Sequence, residues 1–417
     1  MRVAINLLTD DPDNPSGAHW FWTRIIPEMA KRLTGDEELH LLVSPKLRPM
    51  HEGYGQNVHY LTFPWSNERA ALRTASEHVY SPLRLPRAGI DVFSTLLAPI
   101  VKPAPGLVVH IKTLHAYTAP GSVRLPNRVY RRLSYPRTAR LADAIIINSE
   151  SLRTELNRYL EVDPAKVHLI PEAVDHETFR PGDKDEAFEW VRREYGVTKP
   201  FVLFVSSLWR YKNCAGLIRA FAAAKADLGD RQLVVVGPGR DVEYATELRT
   251  LAEELGVAKD IVWVGGVPNE ETVHFYRAAD VFVYPSFNET FGLPILEAMA
   301  AACPVVTSNT TAMPETAGGA ALLADPHDPQ SLAAAIVEAC GPEGDRLRER
   351  GPVRASEFTW TATAERTLEV YRAVHAARST GKGRRCGCWS PAAPVSSART
   401  PPTGWCRSAT RSPCSTR

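Results

Sequence analysis

Residues 284–300 read YPSFNETFGLPILEAMA, which is the most informative segment of the chain. An apolar run ends where it begins, a loop follows, and Pro294 suits the first turn of a helix, because its missing N–H would have no partner there. The free N–H groups of Phe291, Gly292 and Leu293 would meet the positive end of the helix dipole. The segment therefore predicts a strand, a loop and a helix, with an anion site sized for a diphosphate.

Two carboxylates bracket this anion site, Glu289 in the loop and Glu297 on the first turns of the helix. Carboxylates in contact with a diphosphate would repel it. Sugar hydroxyls on either side are better partners, because an ionised carboxylate only accepts hydrogen bonds.

The alternation of short apolar strands with helices extends to both sides of this segment. Strands are predicted at 3–8, 39–43, 58–63, 92–97, 107–111 and 144–147, and again at 201–206, 232–236, 261–264, 281–284, 305–307 and 321–323. Such alternation is typical of parallel sheets that helices cover on both faces. The predicted fold class is therefore α/β, with two Rossmann-like, doubly wound domains that face each other across a cleft.

The chain length and the breaks in this pattern divide the sequence. At 417 residues the chain is too long for one compact core, and proline and glycine interrupt the alternation near 180–182. We predict an N-terminal domain at 1–180, a C-terminal domain at 181–357, a closing helix at 358–376 and a tail at 377–417.

The predicted tail has eight Lys and Arg residues, no Asp or Glu, and no strand or helix periodicity. Without it, the 49 basic residues fall to 41 against 47 acidic ones, so the rest of the chain is slightly acidic. We interpret the tail as a disordered, non-native extension. A basic membrane anchor is the alternative.

The composition is that of an ordinary soluble enzyme, with 44% hydrophobic residues, 23% charged residues and a net charge of +2. This balance gives no reason to expect a nucleic-acid partner. The first residues lack a signal-peptide pattern, and no apolar run approaches the roughly 20 residues of a membrane helix. We expect a cytoplasmic protein, free or peripheral to a membrane.

Glu289 and Glu297, with seven residues between them and set within FGLP and EAMA, resemble the E-x7-E signature of retaining GT-B glycosyltransferases. The resemblance is to glycosyltransferase family 4, group 1. A bare pair at this spacing is common on solvated helices, and the surrounding residues make this one informative. The family's GT-B fold places a nucleotide sugar on the C-terminal domain and the acceptor on the N-terminal domain.

The resemblance also implies residue roles. Glu289 would hold hydroxyls of the transferred sugar, Glu297 would bind the ribose, and the backbone at 291–293 would take the diphosphate. Lys212, in the loop 206–213, corresponds to the family's phosphate lysine and would neutralise the leaving group. Lys212 and Glu289 are therefore the catalytic candidates.

One position departs from the family pattern. Many members carry an arginine five residues before the lysine, where this chain has Ser207. Arg210 lies nearer and is the candidate for the second positive charge. We count Ser207 and Arg210 among the donor-binding candidates. An exposed helix start at Lys212, capped by Asn213, is the structural alternative.

The candidates in the first domain lie in weaker motifs. Gly17 would allow close approach of the donor phosphate or the acceptor, with a plain turn as the alternative. Lys112 and Thr113 occupy the place where family members often have His-Asp. His115 is therefore the better candidate for lining the cleft, with a structural histidine as the alternative. We take Lys112 and His115 as acceptor-side candidates.

Residues 124–140 contain no acid and six arginines, namely Arg124, Arg128, Arg131, Arg132, Arg137 and Arg140. A solvated helix face is the ordinary interpretation of such a run. Contact with a phospholipid surface or with an acidic acceptor is the alternative, although Pro126 and Pro136 shorten any amphipathic stripe.

The expected reaction is retaining transfer of a hexose from a nucleotide diphosphate sugar to a saccharide, lipid-linked or natural-product acceptor. The variant WRYKN at 209–213 resembles transferases of bacterial polysaccharide and natural-product pathways and favours a GDP-mannose donor. We expect no cofactor and no metal ion, because no ligand cluster is visible. The alternatives are a GT-B epimerase or phosphorylase-like enzyme, and a nucleotide-sugar binding module without catalysis.

Overall fold

The structure, a computed structural model, describes residues 1–8, 17–63, 79, 81–96, 105–123 and 125–380. Within them, the strands form two sheets in which every neighbouring pair is parallel. The predicted fold class, two Rossmann-like domains, is confirmed. No helix of this described part is both long and apolar enough to cross a membrane.

The N-terminal sheet has seven strands in the order β3-β2-β1-β4-β5-β6-β7. They are β1 (Arg2–Asn6), β2 (Glu38–Val43), β3 (Val58–Thr62), β4 (Val92–Thr95), β5 (Gly106–His110), β6 (Ala144–Ile147) and β7 (Val167–Leu169). The helices of this half are α1 (Gly17–Ala30), α2 (Ser81–Arg87), α3 (His115–Thr118), α4 (Leu125–Leu141) and α5 (Glu150–Tyr159). The central strands β4, β5 and β6 are buried along their whole length, as parallel strands covered on both faces must be.

The C-terminal sheet has six strands in the order β10-β9-β8-β11-β12-β13. They are β8 (Phe201–Val205), β9 (Gln232–Val236), β10 (Ile261–Gly265), β11 (Val281–Tyr284), β12 (Val305–Ser308) and β13 (Leu322–Ala324). The helices are α6 (Lys184–Tyr195), α7 (Cys214–Ala223), α8 (Lys225–Leu228), α9 (Val242–Glu254), α10 (Thr272–Ala278), α11 (Leu293–Ala300), α12 (Met313–Ala317), α13 (Pro329–Ala339) and α14 (Pro342–Ala355). The strand order reverses between β8 and β11, which is where such sheets bind ligands.

A last helix, α15 (Trp360–Ser379), returns to the N-terminal half. Its Tyr371 hydroxyl lies 2.7 Å from Ser94 Oγ, and its Arg372 pairs with Glu37 at 2.8 Å. The helix runs three residues past the predicted end at 376, so residues 377–379 of the predicted tail are helical. Thr380 follows the helix, and residues 381–417 of that tail lie outside the described residues, as does Arg124.

Candidate active site

A cleft of about 650 Å³ opens between the carboxyl ends of the two sheets. The loops after β8 and β11, together with helix α11, supply one wall, which includes Lys212, Glu289 and Glu297. Loops and helices of the N-terminal half supply the other wall, which includes Lys112 and Arg131. The cleft thus lies where the reversal of strand order predicts a ligand site.

Lys212 lies in a short 3-10 turn after β8, and its side chain is only 12% exposed. Its Nζ lies 2.5 Å from Oε1 of Glu289 and 2.5 Å from the hydroxyl oxygen of Tyr284. Burial alone would lower the pKa of Lys212. The Glu289 carboxylate and the neighbouring tyrosines outweigh burial and hold that pKa well above its usual value. Lys212 is therefore a fixed positive charge at the cleft.

Asn213 ties the lysine loop to its surroundings. Its Oδ1 caps α7 by accepting from the Gly216 N–H at 3.1 Å. Its Nδ2 donates to the carbonyl oxygens of Pro285 at 3.1 Å and Pro326 at 2.8 Å. Asn213 is thus the helix cap that the sequence suggests, whereas Lys212 beside it is buried.

Glu289 is held in place through a single carboxylate oxygen. Oε1 accepts from Lys212, from the Tyr284 hydroxyl at 3.0 Å and from Ser286 Oγ at 2.9 Å. Within the described part of the chain, all three donors meet Oε1. The other oxygen, Oε2, is therefore left for hydroxyl groups of a ligand.

The backbone at 291–293 has the form of an anion cradle. Gly292 has a φ of +92°, and a Cβ there would lie 3.0 Å from Ile295 Cδ1, so glycine is required. The N–H groups of Phe291, Gly292 and Leu293 meet no acceptor within the described ranges, and all three residues line the cleft. They lie at the start of α11, where the helix dipole favours an anion.

Glu297 lies on α11 and is 8% exposed. Its Oε2 accepts from the Tyr276 hydroxyl at 3.1 Å. Burial raises the pKa of Glu297 to about 7, against the opposing hydrogen bond from Tyr276, and the charge of Asp175 raises it further. The carboxyl group is therefore poised to change charge near neutral pH.

The N-terminal wall carries paired charges. Lys112 Nζ lies 3.1 Å from Glu172 Oε1 and 3.6 Å from the centre of the Phe21 ring. Burial lowers the pKa of Lys112, although Glu172 opposes this. Arg24 pairs with Asp175 at 2.8 Å.

Arg131, on α4, also lines this wall. Within the described residues, no carboxylate lies within ion-pair distance of its guanidinium group. Among the cations of this wall that the structure describes, Arg131 is thus available to a ligand anion, whereas Arg24 and Lys112 are paired with carboxylates.

The structure places two candidates outside the cleft. Arg210 forms a two-pronged ion pair with Glu247 at 2.6 Å and lies over the Tyr244 ring, so in this structure its charge is paired outside the cleft and not at the predicted diphosphate site. His115 does not line the cleft. Its ring packs edge-on against Tyr211 of the C-terminal half at 5.2 Å, and burial there lowers the pKa of His115.

Two further candidates have weaker support. Ser206 lines the cleft, whereas its neighbour Ser207 does not. Gly17 lines the cleft as the first residue of α1, and a Cβ there would meet nothing within 4 Å. The loop before Gly17 lies outside the described residues.

The sequence did not assign roles to Tyr284, Ser286, Tyr276 and Glu172, which hold the charged groups in place. Tyr284 and Ser286 lie just before Glu289, at the end of a strand. That position was the sequence signal from which their contact with Glu289 could have been predicted. Tyr276 and Glu172 lie far along the chain from their partners and carry no local signal.

Both halves of the chain match models of known protein families. Residues 189–350 match the model of "Glycosyl transferases group 1" and residues 23–178 that of "Glycosyltransferase Family 4". D-inositol 3-phosphate glycosyltransferase from Corynebacterium jeikeium is 33% identical over 281 residues, 64% of this chain and 66% of that protein. O-antigen chain mannosyltransferase B from Escherichia coli is 31% identical over 235 residues, 55% of this chain and 61% of that protein. The alignments therefore span just under two thirds of these relatives.

A solved structure of HepE from Anabaena, in complex with UDP and glucose, superposes with a TM-score of 0.70 at 19% identity. The superposition covers 89% of this chain and 100% of that one. Fold and cleft together define a GT-B protein. The two family models place the chain more narrowly, and it belongs to glycosyltransferase family 4, group 1. The resemblance in the sequence is confirmed.

Proposed function

We propose that this protein transfers a hexose from a nucleotide diphosphate sugar to an acceptor hydroxyl, with retention of the anomeric configuration. The observation that carries the proposal is the grouping of Lys212, Glu289, Glu297 and the N–H groups at 291–293 along one wall of the cleft. Membership of the family and the glycosyltransferase names of the relatives support it.

Each group of this wall has a role in the proposal. The N–H groups at 291–293 and Lys212 receive the diphosphate, whose negative charge grows as the glycosidic bond breaks. Oε2 of Glu289 accepts from hydroxyls of the transferred sugar. Glu297 accepts from the ribose hydroxyls of the nucleotide.

In the retaining step, the bond from the anomeric carbon to the diphosphate oxygen breaks as the bond to the acceptor oxygen forms on the same face. The acceptor proton passes to the departing diphosphate oxygen, so no carboxylate base is needed. The carboxylates of Glu172, Asp175 and Glu289, which line the cleft, are each paired with a cation. Pairing makes a carboxylate a weaker base, which supports a route without one.

We propose GDP-mannose as the donor, which the name of the mannosyltransferase relative supports. We also propose that no metal ion is needed, and no three metal-ligating side chains cluster within the described ranges. Thermal shift with GDP, UDP and ADP tests the nucleotide, because a ligand at 100 times its dissociation constant adds about 2.7 kcal/mol of stability. Stabilisation by UDP alone would replace GDP-mannose with a UDP-hexose.

The acceptor is proposed to carry a phosphate or carboxylate group that Arg131 binds. The guanidinium faces the cleft without an ion-pair partner in the described part of the chain. A guanidinium binds such groups in a two-pronged manner. The relative from Corynebacterium jeikeium is named for a phosphorylated acceptor, which supports this choice.

Peripheral membrane contact is proposed through the outer face of α4. Leu125, Val129 and Leu133 follow one another at four-residue spacing and are 60%, 49% and 72% exposed. They share one face of a helix that contains five further arginines after residue 124. Flotation of the protein with anionic vesicles tests this membrane contact, and Leu133→Ser should lower the fraction of protein that floats. Flotation equal to that with neutral vesicles would contradict it.

The deciding experiment is an NMR analysis of the product. The protein is incubated with GDP-mannose or UDP-glucose and a series of sugar phosphates, D-inositol 3-phosphate among them. A glycoside that keeps the anomeric configuration of the donor supports the proposal, and an inverted one contradicts it. A converted donor sugar without a glycoside would indicate an epimerase. Nucleotide binding without turnover would indicate a binding module.

A further inference from the structure

Helix α5 of the N-terminal half meets the C-terminal half at two points. At its start, the carboxylate of Glu315 on α12 accepts from the Glu150 N–H at 2.9 and 3.0 Å and from the Ser151 N–H at 3.3 Å. Further along α5, Oε1 of Glu155 accepts from Nδ2 of Asn288 at 3.2 Å.

Glu315 completes the cap of α5 from the other half of the molecule. The cap residue of the helix itself, Ser149, reaches only the Leu152 N–H, at 3.0 Å. The two N–H groups before Leu152 would otherwise lack a protein acceptor, and a carboxylate is favoured there by the helix dipole. This capping exists only while the two halves keep the arrangement of the structure.

Both contact points lead directly to Glu289. Asn288 is its neighbour in the chain. The segment that leads into α12 also holds Glu289, because Thr311 Oγ1 accepts from its N–H at 3.1 Å and the Ala312 N–H donates to its carbonyl at 3.3 Å. Within α12, the Thr316 hydroxyl donates to the carbonyl of Phe291 at 2.5 Å. A shift of α5 would therefore displace the loop that carries Glu289.

The contact at Asn288 is not fully satisfied. Glu155 Oε2 is buried and has no partner within the described residues. Burial also raises the pKa of Glu155, although the hydrogen bond from Asn288 opposes it. A buried polar atom without a partner costs free energy, so the contact between Glu155 and Asn288 adds only weakly to the stability of this arrangement of the two halves.

We propose that α5 is an interdomain latch, in which Glu155 and Glu315 hold the cleft closed and position Glu289. They are positioning residues and act through the loop at 288–291. The effect on catalysis rests on the proposed function, whereas the effect on closure does not.

Small-angle X-ray scattering of the full chain, with and without GDP, tests closure. The variants are Glu155→Ala, Glu315→Ala and the double variant. The matched control is Glu189→Ala, whose carboxylate pairs with Arg192 on its own helix at 2.6 Å. We expect a larger radius of gyration for the double variant and no change for the control. An unchanged radius in the double variant, in both conditions, would overturn the latch.

Steady-state kinetics test the positioning of Glu289. We expect kcat of Glu315→Ala and Glu155→Ala to fall about tenfold or more, with a smaller change in donor KM, since misplaced catalytic groups cost rate. Glu315→Gln should recover part of the loss, because its amide oxygen still accepts an N–H. Asn288→Ala combined with Glu155→Ala should be no worse than either alone. Wild-type kcat in both single variants would overturn the positioning role. A wild type with no transfer activity would defeat the proposed function, and scattering would still decide the latch.

Discussion

Lys212 and Glu289 form an ion pair, with 2.5 Å between Nζ and Oε1, across 77 positions of the sequence. The pair joins the loops after β8 and β11, the strands between which the order of the sheet reverses. Both side chains are nearly buried, at 12% and 11% exposure. Removing one partner of such a pair leaves the other charge buried and uncompensated, so the charged form of each residue depends on the presence of the other.

The stability of the protein should respond to pH through Glu297. Its pKa is about 7 in the folded protein against a usual value of 4.5, so the folded state binds the proton more tightly. The stabilisation is present below the usual value and is lost as pH rises through about 7, which amounts to about 3 kcal/mol at most. Glu297→Gln removes this loss. In urea unfolding it should be more stable than wild type at about pH 8, with little difference at about pH 4. An equal difference at both pH values would contradict this prediction.

The periodicity of the sequence was enough to predict both sheets, because buried parallel strands are continuous apolar runs. Strand β7 was missed. It has only three residues, a half-buried His168 lies at its centre, and it closes the edge of its sheet. Nothing local distinguishes such a strand from a loop.

The site was predictable where motif residues lie close together in the chain, as between Glu289 and Glu297. Arg210 shows the limit of that reasoning. It lies two positions from Lys212, yet Glu247, 37 positions away, sets the direction of its side chain. His115 was preferred over Lys112 for a similar reason, because the partner that holds Lys112 at the cleft, Glu172, is distant in sequence.

Arg131→Ala should raise the KM for an anionic acceptor by about tenfold or more, since a lost charge-assisted contact costs about 1.5–3 kcal/mol. Donor hydrolysis without acceptor should stay unchanged, because Arg131 lies on the wall opposite the anion cradle. Arg140→Ala is the matched control, as that side chain is 71% exposed on the same helix. An equal fall in donor hydrolysis would assign Arg131 to the donor site instead.

A chain that ends at Thr380 should keep its thermal midpoint and its activity, because residues 381–417 lack the apolar periodicity of a packed element. A chain that ends at Thr359 should not fold stably. It lacks α15, whose Leu368 and Tyr371 are fully buried in the N-terminal core. Calorimetry of the two shortened chains and of the full-length chain checks this. A lower thermal midpoint for the chain that ends at Thr380 than for the full-length chain would show that the tail contributes to the fold.

Lys212→Ala should lower kcat by about 100-fold or more, because charge on the departing diphosphate grows in the transition state and one preorganised stabiliser is lost. Donor KM should change less. Glu289→Ala should also act mainly on kcat, whereas Glu297→Ala should raise donor KM more than it lowers kcat, since a ribose contact is equal in the ground and transition states. Lys199→Ala is the control, as its ammonium pairs with an exposed Asp230 at 2.6 Å.

The ion pair makes this prediction sharper. Because Lys212 and Glu289 act as a unit, the double variant should turn over at a rate close to that of the slower single variant. Steady-state turnover of the three proteins, each with and without EDTA, provides the comparison. Losses that multiply in the double variant would show that the two residues act independently. Wild-type turnover in Lys212→Ala would show that the Lys212 ammonium group does not stabilise the departing diphosphate.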